Sequence, residues 1–199
     1  MISIIDYGAG NMRSVEKAIE YLGGEVKITG DRAEILASDK IILPGVGAFG
    51  DAAKMLKDAG MFNTIYDAVS KNIPLLGICL GFQLLFEKSE EGEGEGLGII
   101  KGKVLKIPDT GLKIPHMGWN SLETDPSAKL FNGISNGDYV YFVHSYYADA
   151  NDKADVCATA EYGVKMDVAV EKGNVFGFQF HPEKSSAVGL KMLDNFIKL

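Results

Sequence analysis

Residues 74–86 read PLLGICLGFQLLF. An apolar run is interrupted by one cysteine, Cys79, with Gly77 before it and Gly81 after it. The run fits a buried strand over 73–78, a tight turn at Cys79, and a helix opening at Leu80 and continuing to about Glu87. Gly77-Ile-Cys79-Leu-Gly81 is then the thiol counterpart of the G-x-S-x-G nucleophile elbow, in which a strained residue sits where strand and helix approach too closely for larger neighbours. An elbow lifts the sulfur to the carboxyl edge of a sheet, where open α/β folds place ligands. It also sets the sulfur at a helix start, which favours thiolate, and makes the Leu80 N–H available to an oxyanion. The alternative is a buried cysteine acting as a small hydrophobe. The presence or absence of a base decides between them.

Outward from this stretch, the first half of the chain alternates. Apolar strands are expected at 2–5, 26–29 and 40–43. Asn11 is placed to cap a helix carrying Val15, Ala18, Ile19 and Leu22 on one face, ended by Gly23-Gly24. Asp31 and Glu34 have capping-box spacing. Residues 51–71 read as helix with a break near Gly60. Strands alternating with helices imply right-handed βαβ units and a parallel sheet. From about Val104 the runs become short and β-rich, with K-G-N (172–174) as a hairpin turn. A last helix is expected over about 186–198. The glutamates of EEGEGEG (90–96) read as a solvated loop. The expectation is one α/β domain over 1–199, a largely parallel sheet flanked by helices with added antiparallel strands in the C-terminal half.

Composition narrows the function. The 199 residues carry net charge −7 with scattered basic residues, so nucleic acid is not an expected partner. No apolar run reaches the roughly 18 residues of a membrane span. The N-terminus shows no basic leader or small-residue cleavage site. The two cysteines, Cys79 and Cys157, make neither a disulfide framework nor a zinc pattern, so no metal is implied and a cytoplasmic location is expected. Gly8-Ala9-Gly10 after the first strand is not a dinucleotide fingerprint, because its third glycine position is Arg13.

Three histidines are available as a base: His116, His144 and His181. His181 lies in GFQFHPEKSS, and Pro182 disfavours helix there. In an extended chain His181 and Glu183 face the same side. Cys79, His181 and Glu183 then make a nucleophile, base and orienter. Taken singly, His181 reads as a strand-end histidine and Glu183 as a solvated turn carboxylate. Pro44-Gly45-Val46-Gly47 also follows a strand, and its glycines could turn a backbone N–H toward a tetrahedral intermediate, or could form an ordinary βα turn. Residues alone thus reach cysteine-dependent amide hydrolysis on an α/β sheet.

The motifs DYGAGN (6–11), LPGVGAFG (43–50), GICLGFQLLFE (77–87), PHMGWN (115–120), YFVHSY (141–146) and GFQFHPEKSS (177–186) span nearly the whole chain. Together they resemble class I (triad-type) glutamine amidotransferases, and within them the family of glutaminase subunits of imidazole glycerol phosphate synthase. One departure is Phe82, where that family often has Met. The resemblance implies a flavodoxin-like fold and no cofactor. It makes Cys79 the nucleophile on glutamine's side-chain amide, His181 the proton shuttle and Glu183 its support. Gly45, Val46, Gly47 and Leu80 would serve the oxyanion. Gly47, Gln83, Glu91, Ser145 and Tyr146 would meet glutamine, although Glu91 reads equally as one glutamate of a solvated loop. Ammonia would pass to a (β/α)8-barrel cyclase docked against Asn11, Trp119, Tyr141 and Lys184. His144 would support the pocket and His116 would be structural. Two other readings remain: a free-standing cysteine amidohydrolase, and a non-catalytic binding or regulatory module.

Overall fold

The computed structural model describes residues 1–199. In chain order the elements are β1 (Ile2–Ile5), α1 (Met12–Tyr21), β2 (Val26–Thr29), α2 (Arg32–Leu36), β3 (Lys40–Leu43), α3 (Phe49–Asp58), α4 (Met61–Ser70), β4 (Leu75–Ile78) and α5 (Leu80–Gln83). There follow β5 (Lys88–Ser89), β6 (Gly102–Lys106), β7 (His116–Ser121), β8 (Glu123–Thr124), β9 (Tyr139–His144), β10 (Tyr146–Ala150), β11 (Val156–Glu161), β12 (Lys165–Lys172), β13 (Val175–Phe178) and α6 (Ser186–Ile197).

The central sheet runs β2-β1-β3-β4-β13-β12-β10-β6-β5, with β11 and β8 attached beside β12. Strands β2, β1, β3, β4 and β13 are mutually parallel. This is the flavodoxin-like order, with the fifth parallel strand supplied from near the C-terminus. Beyond β13 the pairing turns antiparallel through β12, β10 and β6. The β12–β13 hairpin closes at Gly173, whose φ of 61° suits the expected turn. Strands β7 and β9 form a separate two-stranded ribbon.

Both faces of the parallel sheet are covered, so the inner strands β1, β3, β4 and β13 are almost wholly apolar, while the edge strand β2 (Val26-Lys27-Ile28-Thr29) alternates. Side chains still alternate between the faces. Ile2, Ile4, Ile42, Leu76 and Ile78 join a core shared with Val15 and Ile19 of α1 and Phe196 of α6. Ile5, Ile41, Leu43 and Leu75 join a second core with Leu56 of α3, Ile65 of α4 and Phe82 of α5.

Three local expectations are corrected. Asn11 precedes α1 but its side chain makes no cap; its ψ of 63° is not the extended conformation that aims a cap at the helix N–H groups. Asp31 does cap α2, accepting from the Glu34 N–H at 2.9 Å. The other half of the box is missing, because the Glu34 carboxylate takes Thr29 Oγ1 and Lys27 instead. The helix expected to reach Glu87 stops at Gln83. The carbonyls of Leu84, Leu85 and Phe86 accept from Leu97, Ile100 and Gly98, and these tertiary bonds displace a continued helical ladder.

Candidate active site

The glycines around Cys79 have a steric cause. A Cβ on Gly77 would lie 2.7 Å from the Gly81 carbonyl oxygen, and one on Gly81 would lie 1.9 Å from the Leu43 oxygen. The strain is concentrated on the cysteine itself, at φ 55° and ψ −109°. A non-glycine residue persists there only where its surroundings impose it. One restraint is the Cys79 N–H, which donates to the Phe178 carbonyl at 2.8 Å and continues the β4–β13 ladder into the turn. Leu80, as the first residue of α5, has an N–H with no intrahelical acceptor.

His181 arrives from the neighbouring strand. Its Nδ1 lies 2.9 Å from Glu183 Oε1, and both side chains are almost wholly buried. The expected pair forms, but not in an extended chain: Pro182–Lys184 is a 3-10 turn. The turn is stabilised by the Lys184 and Ser185 N–H groups, which donate to the His181 and Pro182 carbonyls, and by Ser185 Oγ, which donates to the His181 carbonyl at 2.6 Å.

Burial alone pushes the His181 pKa down. Hydrogen bonding and charge from Cys79 and Glu183 outweigh it and hold the imidazole up at about 9. Glu183 Oε2 is buried without a hydrogen-bond partner, so His181 is the one polar contact the Glu183 side chain makes. The three groups thus keep a proton on His181 beside the sulfur. Cys157 is buried in β11, and burial followed by the Glu171 charge pushes its thiol far up, so it stays protonated.

A cavity of about 230 Å³ opens at this point. Cys79, Leu80, Gln83 and His181 line one side, Val46, Gly47 and Glu91 another, and Val143, His144, Ser145 and Tyr146 the third. The candidate catalytic pair Cys79 and His181 and the candidate substrate residues Gly47, Gln83, Glu91, Ser145 and Tyr146 therefore share one space. Gly45 lies behind it, where an added Cβ would meet Leu80 and the Gly81 nitrogen. Gly47 holds φ 99° with open space around its Cα, so its limit is backbone conformation and not crowding. Glu91 departs from the solvated-loop reading: its Oε2 accepts from the Phe49 N–H at 2.9 Å at the start of α3. Burial raises its pKa against that hydrogen bond.

Four contributors carried no individual assignment in the sequence. Tyr7 donates from its hydroxyl to the Pro44 carbonyl at 2.9 Å and pins the glycine loop. Burial, then the nearby Cys79 charge, push its pKa up. Gln179 accepts from Gln83 Nε2 at 2.9 Å and is fully buried; a lone polar residue inside the apolar run VFGFQF (175–180) was the available signal. Ser185 also accepts from the Tyr141 N–H, while the Tyr141 carbonyl accepts from the His181 N–H. Val143 had no signal beyond its strand.

Of the candidate partner-facing residues, Asn11 and Lys184 are exposed and Tyr141 is half-buried. Trp119 is 50% exposed, its ring 6.0 Å from that of Tyr141 in an edge-on arrangement. No helix is long and apolar enough to cross a membrane.

A family model described as "Glutamine amidotransferase class-I" matches residues 3–199. The imidazole glycerol phosphate synthase subunit HisH of Caldanaerobacter subterraneus subsp. tengcongensis is 55% identical over 197 residues, covering 98% of this chain and 97% of the relative. The HisH subunit of Methanocaldococcus jannaschii is 53% identical over 200 residues and covers both chains in full. Among solved structures, PurLQS from Thermotoga maritima superposes with a TM-score of 0.76 at 23% identity, covering 99% of this chain and 97% of that one. A structure described as a glutamine amidotransferase gives the same TM-score at 18% identity, covering 98% and 97%. A cysteine elbow facing a buried His–Glu pair, a sheet of this order and relatives of this similarity together establish that the chain belongs to the class I glutamine amidotransferases, in the family of HisH subunits of imidazole glycerol phosphate synthase.

Proposed function

We propose that residues 1–199 act as one amidotransferase domain that hydrolyses glutamine to glutamate and ammonia, for delivery to a (β/α)8-barrel cyclase subunit. The observation that carries the reading is the raised, Glu183-paired His181 beside the strained Cys79 at the mouth of a cavity. The names of the HisH relatives support the synthase it serves.

The Cys79 thiolate attacks the side-chain amide carbon of glutamine and forms a C–S bond. The electron pair of the C=O bond moves onto oxygen, where the Leu80 N–H and an N–H of the Gly45-Val46-Gly47 loop receive it. His181 gives its proton to the amide nitrogen, the C–N bond breaks, and ammonia leaves a glutamyl thioester. His181, now neutral, takes a proton from water as the water oxygen attacks the thioester. Collapse releases glutamate and returns the thiolate and the imidazolium. Glu183 holds the ring and stabilises its charge without itself taking the proton.

Gln83, Glu91 and the Ser145–Tyr146 backbone are the proposed contacts to glutamine. Asn11, Trp119, Tyr141 and Lys184 are the proposed docking residues. Tyr141 links the two, since its N–H and carbonyl bond Ser185 and His181 directly. In the barrel, ammonia contributes to imidazole glycerol phosphate with release of an aminoimidazole carboxamide ribotide.

The test measures glutaminase rates of the lone chain, of the complex, and of the complex with the cyclase's nucleotide substrate. A low rate for the lone chain and a rise of at least 100-fold with partner and nucleotide are expected if the glycine loop turns its N–H to the oxyanion only in the liganded complex, one such donor being worth roughly 100- to 1000-fold. A lone chain as fast as the liganded complex replaces this reading with a free-standing amidohydrolase.

A further inference from the structure

Two of the three histidines are outside the reaction just described. His116 of β7 and His144 of β9 face each other across the ribbon, in register. Both are buried, and His116 is stacked between Phe142 and Tyr162 at ring separations of 4.7 and 4.0 Å.

Their hydrogen bonds have one permitted direction. The His144 Nδ1 lies 2.8 Å from the Tyr146 carbonyl, which can only accept, so Nδ1 carries the proton. In a neutral ring Nε2 then accepts, and its neighbour at 2.9 Å is His116 Nδ1, which donates. His116 Nε2 is left as an acceptor, 3.4 Å from Asn120 Nδ2. The Asn120 amide is oriented by its oxygen, which accepts from the Ser121 N–H, and by Nδ2, which also donates to the Glu161 carbonyl. Burial holds His116 at about 4 and His144 at about 3, so both rings stay neutral near pH 7.

The chain of donors ends at the pocket. The Tyr146 carbonyl that accepts from His144 also accepts from Gln83 Nε2 at 3.0 Å. With both nitrogens committed, His144 has no proton to move, and its effect on glutamine is exerted through the peptide it holds. We propose that His116 is a positioning residue: through His144 it fixes the Tyr146 carbonyl, and so the Ser145–Tyr146 wall and the Gln83 amide, in the orientation that receives glutamine. The relay starts on the strand whose outward Met117 and Trp119 are 60% and 50% exposed, and it rests on the functional reading given above.

The test uses the complex with its barrel subunit. His116→Phe keeps an aromatic ring between Phe142 and Tyr162 but removes the donor to His144. His116→Asn keeps an N–H donor near the Nδ1 position and gives up the ring. His116→Phe is expected to raise the KM for glutamine about tenfold with kcat within about twofold, as one buried acceptor left unpaired would do. His116→Asn is expected to recover most of that loss. In nitrogen-15 NMR of the wild-type full chain, both rings are expected as Nδ1–H tautomers. An unmoved KM in His116→Phe, a loss in kcat instead, an Asn variant no better than Phe, or an Nε2–H tautomer on either ring overturns the proposal. Normal wild-type turnover with unmoved variants sinks this inference alone; a wild-type complex that does not hydrolyse glutamine sinks the functional reading as well.

Discussion

Gln83 on α5 donates through Nε2 to the side-chain oxygen of Gln179, 2.9 Å away and fully buried. Gln83 is four residues past Cys79 and Gln179 two residues before His181, so this one bond ties the two halves of the candidate site together. Removing one partner leaves the other less satisfied in the core. Gln179→Met and Gln83→Met are each expected to lower stability by about 1 kcal/mol. The double variant should cost less than their sum by about 0.5–1.5 kcal/mol. Urea unfolding of the four chains measures this, and strict additivity would contradict the coupling.

The strain at Cys79 separates chemistry from stability. Cys79→Ala and Cys79→Gly should both abolish glutamine hydrolysis. Glycine, however, adopts positive φ without the steric penalty, so Cys79→Gly should be more stable than Cys79→Ala by about 1 kcal/mol. Cys157→Ala should retain turnover. Thermal melts and thioester trapping read both effects; an alanine variant as stable as the glycine one would show that the backbone at residue 79 is relaxed.

Adding a methyl group at Gly81 or at Gly47 should have contrasting results. At Gly81 a Cβ would sit 1.9 Å from the Leu43 oxygen, inside the strand–helix junction. Gly81→Ala should cost on the order of 3 kcal/mol, near the upper range for overpacking. At Gly47 nothing lies within 4 Å but φ is 99°. Gly47→Ala should therefore lower stability by only about 1 kcal/mol while reducing the activation by partner and nucleotide. Equal loss of stability in the two variants would refute the distinction.

The histidines set opposite pH slopes. His181 is raised from an ordinary value of about 6.5 to about 9. Its contribution to stability is complete below about pH 6.5 and is lost as pH rises through about 9. His116 and His144 are lowered to about 4 and about 3. The unfolded chain takes up protons that the folded chain refuses, so stability falls as pH drops below about 6.5. Denaturation midpoints from pH 4.5 to 10 should show both arms. His181→Asn should flatten the alkaline arm and His116→Phe part of the acid arm; unchanged slopes in both variants would contradict these shifts.

The parallel half of the fold was legible because its strands are short and mostly apolar and alternate with helical patterns, and because Gly60 marks the break between α3 and α4 at φ 71°. The two halves of the candidate triad were legible as local spacings, Gly77-Ile-Cys79-Leu-Gly81 and His181-Pro-Glu183; that they meet was not, because about a hundred residues separate them. The early end of α5 was not, since it depends on carbonyls accepting from residues 97–100. The 3-10 turn at Pro182–Lys184 was hidden for a similar reason: Ser185 Oγ closes it, and nothing in HPEKSS distinguishes that hydroxyl from an exposed one. Glu91 looked like its glutamate neighbours until α3 supplied the Phe49 N–H. Asn11 shows the reverse failure, a favourable cap residue whose backbone points it elsewhere.

Strands β4 and β13 lie side by side although a hundred residues separate Leu75 from its register partner Val175. During synthesis Cys79 therefore leaves the ribosome long before His181. Until β13 is made and inserted, β4 is an unpaired edge on that side and Cys79 lacks both His181 and the Phe178 carbonyl that fixes its N–H. A nascent or C-terminally clipped chain thus lacks the proposed base, and the same gap leaves an open strand that invites aggregation.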